Sequence, residues 1–293
     1  MKKTIKSAFF FAAFLGLAAG GIFGFDWPAK NFDPNQSILS FAQNREGAFN
    51  TSLVFEDAQG ALATDSGKII AVITEHQNDG DWFESPLGNT LIVSHDDELI
   101  SIYGNLTLQS AVGLAQKKEV KADEDLGMTG QSSWNENAED ASLEFQISDS
   151  NAKTFINPLI LMPRALKQKK ISMEGISIEN QFGRSYPIAN LRSVPAGIYK
   201  IYKKRQKDAA VFKTSVYVNG REVEKITKDT IKVQSGKLFL AGSSNYTKED
   251  FFPNGEMEFL GRLFLPHGSN TVQINAQDIY ENTSAATYVI SGY

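Results

Sequence analysis

Residues 142–147, Ser-Leu-Glu-Phe-Gln-Ile, alternate strictly between polar and apolar positions. Leu143, Phe145 and Ile147 fall on one side, and Ser142, Glu144 and Gln146 on the other. A period of two predicts a β-strand, because successive side chains point to opposite faces. The same grammar runs through "TSLVFED", "GKIIAVIT", "NTLIVSHD" and "ELISIYGNL", each short, rich in β-branched and aromatic residues, and bounded by Gly, Asp or Asn. Ahead of them, "QSILSFAQNREGAF" (36–49) predicts a short helix or an extended lead-in. "GLAQKKEVKADEDLGMTG" predicts a bend, a short strand and a Gly-bearing turn. No long stretch carries a helical period, and the first unit closes at "INPLILMP".

The basic segment "RALKQKKISMEG" changes the composition and reads as a linker. A second strand series follows: "ISIEN", "GIYKIYKKRQ", "TSVYVNGREV", "KDTIKVQSGKLFLAG", "EMEFLGRLFLPHGSNTVQINAQD" and "ATYVISGY". Turns at N-G, S-G, P-N-G and H-G-S-N separate these strands, a spacing that predicts a two-sheet sandwich. The closing stretch "LPHGSNTVQINAQDIYENTSAATYVI" resembles the last hairpin of an immunoglobulin-like module. The expected organisation is therefore all-β, with a lead-in at 25–39, a first domain at 40–163, a linker at 164–172 and an immunoglobulin-like β-sandwich at 173–293.

Composition narrows the picture. The 293 residues are 42% hydrophobic and 22% charged, enough apolar content to build cores over about two domains. There is no cysteine, which excludes disulfides, thiolate metal sites and a cysteine nucleophile. At the N-terminus, "MKKTIK" precedes an uncharged apolar run ending in small residues, followed by the polar "DWPAKNFDPNQS". This is the layout of a secretory signal peptide at 1–24, and it predicts export to the periplasm or cell envelope. An uncleaved anchor is the alternative, and the only membrane association expected. The formal charge is −5, and losing Lys2, Lys3 and Lys6 would lower it to −8. An acidic chain argues against a nucleic-acid partner, since phosphate contacts need concentrated Lys and Arg.

The order of fragments in the first domain carries a resemblance. "ATDSGKIIAV", "LGNTLIVSHDDELISIYGNL", "EVKADEDLGMTG", "SLEFQI" and "NPLIL" follow one another as the motifs of LytM-type zinc peptidases of the M23 family do. The similarity covers about residues 40–162 and implies a β-rich fold that cuts peptidoglycan cross-bridges. Members of that family hold zinc with H-x-x-x-D and the second histidine of H-x-H, leaving one position for water. Flanking histidines orient the water and stabilise the oxyanion.

Carried over by position, the resemblance places Asn50 and Val54 at the first two metal ligands and Glu144 at the third. Ser142 and Asn105 take the places of the catalytic histidines. None of the five is the expected residue. A shifted register would bring Glu56 or Asp57 near the site, but no histidine precedes His76. The resemblance then implies a degenerate domain with no cofactor, acting as a scaffold or regulator that binds peptidoglycan or a cell-wall hydrolase. The alternative is an active metalloendopeptidase with atypical ligands, for which zinc would be the cofactor. An oxygen-rich set of Glu144, Asp57 and Asn105 would suit Mg²⁺ or Ca²⁺ better than zinc.

Trp82, Phe83 and Trp134 fall in segments that border the peptidase groove by resemblance. They read either as a groove-binding surface for a sugar ring or protein or as caps on the local core. His95 reads as a strand-end hydrogen-bonding residue, and His76 and His267 as loop residues. "DGDWFESPLGN" lacks the order of a calcium loop, and no nucleophile elbow or phosphate loop is present.

Overall fold

The computed structural model describes residues 24–31, 38–45, 47–74, 85–96, 98–133, 141–164, 169–206 and 208–293. The apolar N-terminal run, Trp82, Phe83, Trp134, His76 and residues 165–168 of the expected linker lie outside the described residues. Among the described residues no helix is long and apolar enough to cross a membrane.

The chain is all-β, as its alternation predicts. The first unit comprises β1 (Ala29–Lys30), β2 (Ile38–Leu39), β3 (Asn44–Arg45), β4 (Ala48–Phe49), β5 (Leu53–Glu56), β6 (Gly60–Leu62), β7 (Gly67–Ile73), β8 (Asn89–Ser94), β9 (Leu99–Leu106), β10 (Glu119–Val120), β11 (Asp125–Met128), β12 (Ser142–Asp149) and β13 (Thr154–Ile156). The short helix α1 (Leu108–Leu114) follows β9, its first turn capped by the Thr107 hydroxyl, which accepts from the Ser110 amide. The main sheet runs β10-β7-β8-β9-β12-β13, all antiparallel, and β5 joins the first half of β12. β1, β6 and β11 form a small side sheet, and β3 and β4 a separate hairpin.

β12 is the centre of this sheet. Its apolar row, Leu143, Phe145 and Ile147, is fully buried and joins the core with Leu53, Phe55, Leu91, Val93 and Tyr103. Its polar row is buried as well. The 36–49 stretch holds no helix among its described residues. From Ala42 to Asn50 it folds back as a hairpin, because the Ala42 amide donates to Asn50 O and the Asn50 amide to Gln43 O, both at 2.8 Å.

The second unit contains β14 (Ser177–Asn180), β15 (Ser185–Pro187), β16 (Ser193–Val194), β17 (Gly197–Lys204), β18 (Lys213–Val218), β19 (Arg221–Thr227), β20 (Thr230–Gln234), β21 (Lys237–Ala241), β22 (Asn245–Tyr246), β23 (Met257–Leu265), β24 (Gly268–Gln277) and β25 (Thr283–Gly292). A one-turn helix, α2 (Lys248–Phe251), precedes β23. Two sheets, β15-β14-β17-β23 and β16-β25-β24-β18-β19, enclose a second core of Ile178, Ile201, Val216, Leu260, Leu263, Val272, Ile274 and Ile290. β16 enters parallel to β25.

The units are joined through backbone and core. β13 pairs antiparallel with β20, matching Thr154 with Lys232 and Ile156 with Thr230, so the first sheet continues through β20, β21 and β22. Tyr202, Ile226, Ile231, Leu240, Tyr246, Phe251, Phe252 and Phe259 belong to the same core cluster as Phe49 and Phe145. Phe49 meets the Phe251 ring edge-on at 5.6 Å and the Phe252 ring at 6.2 Å. The Asn157 side chain donates to Lys228 O at 2.9 Å, and buried Lys228 pairs with buried Glu258 at 2.5 Å.

Candidate functional site

The polar face of β12 and its two flanking strands is where the resemblance places a metal centre. Antiparallel register sets Glu144 opposite Val54 and Ser142 opposite Glu56 on β5. On the other flank Glu144 lies opposite Gly104 of β9. Opposed residues share a face, so Val54, Glu56, Ser142 and Glu144 point to the same side. Gly104 lets Leu87 pack closely beside Glu144: a Cβ there would sit 2.9 Å from Leu87 Cβ and 3.5 Å from Glu144 Cβ.

Glu144 is 1% exposed. Its carboxylate is met by Arg45 of the hairpin in a two-pronged pair, Nη1 to Oε2 at 2.9 Å and Nη2 to Oε1 at 2.7 Å. A guanidinium fork matches a carboxylate edge, and this geometry is the strongest form of the ion pair. Sequence reading did not single out Arg45. The two partners are ninety-nine positions apart and share no local pattern. The available signal was indirect: a buried carboxylate on a β-strand requires a cation partner.

The other two expected ligand positions offer a metal nothing. Val54 is a buried hydrocarbon with no donor atom. Asn50 is 3% exposed and fully engaged with the backbone. Its Nδ2 donates to Ser40 O at 3.0 Å and Ser52 O at 2.7 Å, and its Oδ1 accepts from the Ser52 amide at 3.3 Å. Glu56 is exposed, and Asp57 occupies a turn with φ of +62°. Among the described residues no group of three or more His, Asp or Glu could hold a metal ion. Zinc does not fit these residues. One position is hydrocarbon, one amide is saturated by the backbone, and both oxygens of the one carboxylate are covered by a guanidinium.

The two residues that the resemblance puts in the place of catalytic histidines, Asn105 and Ser142, are brought together. Asn105, next to last in β9, has a left-handed conformation, φ of +62°, which asparagine tolerates better than most residues. Its Nδ2 donates to Ser142 Oγ at 2.9 Å and Ser142 O at 2.8 Å. Its Oδ1 accepts from the amides of Ser132 at 2.7 Å and Ser133 at 3.0 Å. All four contacts of the amide are spent on tying β9, β12 and the 132–133 segment together. Neither group has a basic nitrogen or a titratable proton near neutrality, so the pair cannot act as an acid–base couple. Gln146, next along the face, donates to Thr51 Oγ1 and Ser52 Oγ, both at 2.9 Å.

His95 follows the last residue of β8. Its Nδ1 lies 2.9 Å from Ser66 O and its Nε2 2.8 Å from Ser101 Oγ. A carbonyl only accepts, so Nδ1 carries the proton and the ring cross-links neighbouring turns. The groove-binding candidates Trp82, Phe83 and Trp134 lie outside the described residues.

A family model matches residues 170–291, a span within the second unit and its approach and less than half of the chain. No curated protein matches. Several solved structures do. One is a zinc-containing peptidase from Vibrio cholerae, at 18% identity and a TM-score of 0.32, covering 49% of this chain and 40% of that one. Another is the catalytic domain of the prophage-encoded M23 protein EnpA from Enterococcus faecalis, at 18% identity and 0.31, covering 44% and 94%. Lysostaphin is matched at 12% identity and 0.30, covering 93% and 96%. The chain thus spans less than half the length of the Vibrio protein, and superpositions at these scores assign no chemistry to it.

Proposed function

We propose that this chain is an exported cell-envelope protein whose first unit keeps the plan of an M23-type peptidase domain without its chemistry. It serves as a scaffold or regulator that binds peptidoglycan or a cell-wall hydrolase. The observation that carries the reading is Arg45 forked onto Glu144. At the position where the family's motif calls for a metal ligand, the positive charge is a guanidinium supplied by the chain itself. The absence of any basic group at Asn105 and Ser142 supports it, because hydrolysis of an amide needs a proton acceptor and an oxyanion stabiliser at the reacting carbon. The second unit, read as an immunoglobulin-like sandwich, supplies a further interaction surface.

The test is elemental analysis of the purified chain after zinc loading and dialysis, paired with sedimentation against insoluble cell-wall sacculi. The expected outcome is far less than one zinc per chain, no cleavage of wall peptides, and co-sedimentation with the sacculi or with a hydrolase added to them. Stoichiometric zinc together with peptide cleavage would overturn the proposal and establish the metallopeptidase alternative.

A further inference from the structure

The hairpin that carries Arg45 is held from both sides. β3 and β4 pair Asn44 with Phe49 and Arg45 with Ala48. By the two-residue period, Arg45 and Phe49 point to opposite faces of the ribbon. One face delivers Arg45 to Glu144. The other delivers Phe49, 3% exposed, to Phe251 and Phe252 of the second unit. Arg205 adds a second clamp from that unit: its guanidinium lies 5.1 Å from the centre of the Phe252 ring, and its Nη2 lies 3.5 Å from Gln43 Oε1 beside the hairpin. At the base, Asn50 binds the backbone at Ser40 and Ser52. The hairpin is therefore a wedge between the polar face of β12 and the second unit.

We infer that the second unit is the clamp that keeps this wedge closed over Glu144, so that access to the polar face of β12 is governed by the Phe49–Phe251–Phe252 contact. A two-stranded ribbon of this length is not stable alone, so its closed position is set by what it packs against. Glu144 and the second unit grip the same ribbon from opposite sides, and loosening either grip loosens the ribbon. The inference deepens the reading of the first unit as a platform, since it names what regulates the same face.

The experiment is hydrogen–deuterium exchange on the full purified chain, following the amides of Ala42 and Asn50 at the hairpin base and those of residues 101–106 in β9 as the reference. Phe251→Leu removes the ring from the clamp but keeps an apolar side chain, and Glu144→Gln weakens the opposite grip. Both are expected to speed exchange of the hairpin amides by about tenfold while leaving β9 unchanged, the pattern of a local opening. Should Phe251→Leu fail to fold, Arg205→Met carries the same expectation. Unchanged hairpin exchange in the folded variants, or equal acceleration of hairpin and β9, would overturn the clamp. Exchange reads neither metal nor wall binding. A chain that holds stoichiometric zinc and cleaves wall peptides would therefore defeat the proposed function while leaving this measurement to decide the clamp by itself.

Discussion

At Glu144 the charge of a fully buried carboxylate is met, among the described residues, by the Arg45 guanidinium. Arg45→Ala strands a carboxylate that is 1% exposed, whereas Glu144→Ala leaves a guanidinium that is 18% exposed and has further contacts. Arg45→Ala is expected to cost about 3–5 kcal/mol and Glu144→Ala less, whereas joint replacement by Met and Leu should be close to neutral. Urea denaturation of the three variants measures this. Lys203 is the opposite case. It is 1% exposed, its Nζ donates to Lys204 O at 3.0 Å, and burial pushes its ammonium below the usual lysine range, with Glu258 opposing and Lys228 adding to the shift. Because the folded value is depressed, the unfolded chain holds more protons just below the ordinary lysine range, and stability rises with pH there. Lys203→Met is expected to raise stability at neutral pH by roughly 1 kcal/mol and to flatten that alkaline rise, read by melting temperature against pH. The resemblance pointed to Asn50, Val54, Asn105, Ser142 and Glu144. It could not show that Asn50 and Asn105 are saturated by the backbone, because that depends on where the chain turns and not on which residues occur.

Among the elements, the strands of the main sheet were readable because one face of each is apolar, and an alternation of two has no other solution. The 42–50 hairpin was not. Its strands are two residues each, too short for a period, and its stability comes from contacts remote in sequence. The same holds for α2, a single turn made by a capping box in which the Thr247 side chain receives the Asp250 amide and Asp250 receives the Thr247 amide. Burial pushes the Asp250 carboxyl up, but hydrogen bonds from Lys200 and Thr247 prevail and hold it below its usual range. A depressed carboxylate stabilises fully above its unfolded value, about pH 4, and loses that contribution as pH falls through the folded value. Acid is thus expected to loosen α2 and, through Phe251, the hairpin. Tyrosine and phenylalanine side-chain NMR signals at the junction should shift below pH 4 in the parent chain and should lose that pH response in Asp250→Asn.

Across the whole molecule, composition and length pointed to about two domains joined by a linker; among the described residues there are two large core clusters and a small third one of Ile171, Ala209, Val211 and Ala276. Residues beyond 200 nonetheless complete the first core, and one sheet runs from β10 to β22. Such sharing is invisible to a reading by segments, since each strand looks the same whether its partner is near or far. A chain ending at residue 169 would leave Phe49 and Ile156 without the partners they have in Phe251 and β20. It is expected to show no cooperative melting transition, while the full chain unfolds in one, as calorimetry would report. The pairing of β13 with β20 has a consequence for recognition. A ligand that touches both units meets two surfaces whose separation is not averaged over a flexible tether. The second contact forms at a fixed effective concentration, with no distribution of distances to sample. A repeating polymer whose spacing matches gains avidity in full, and one whose spacing differs by a few ångströms gains none.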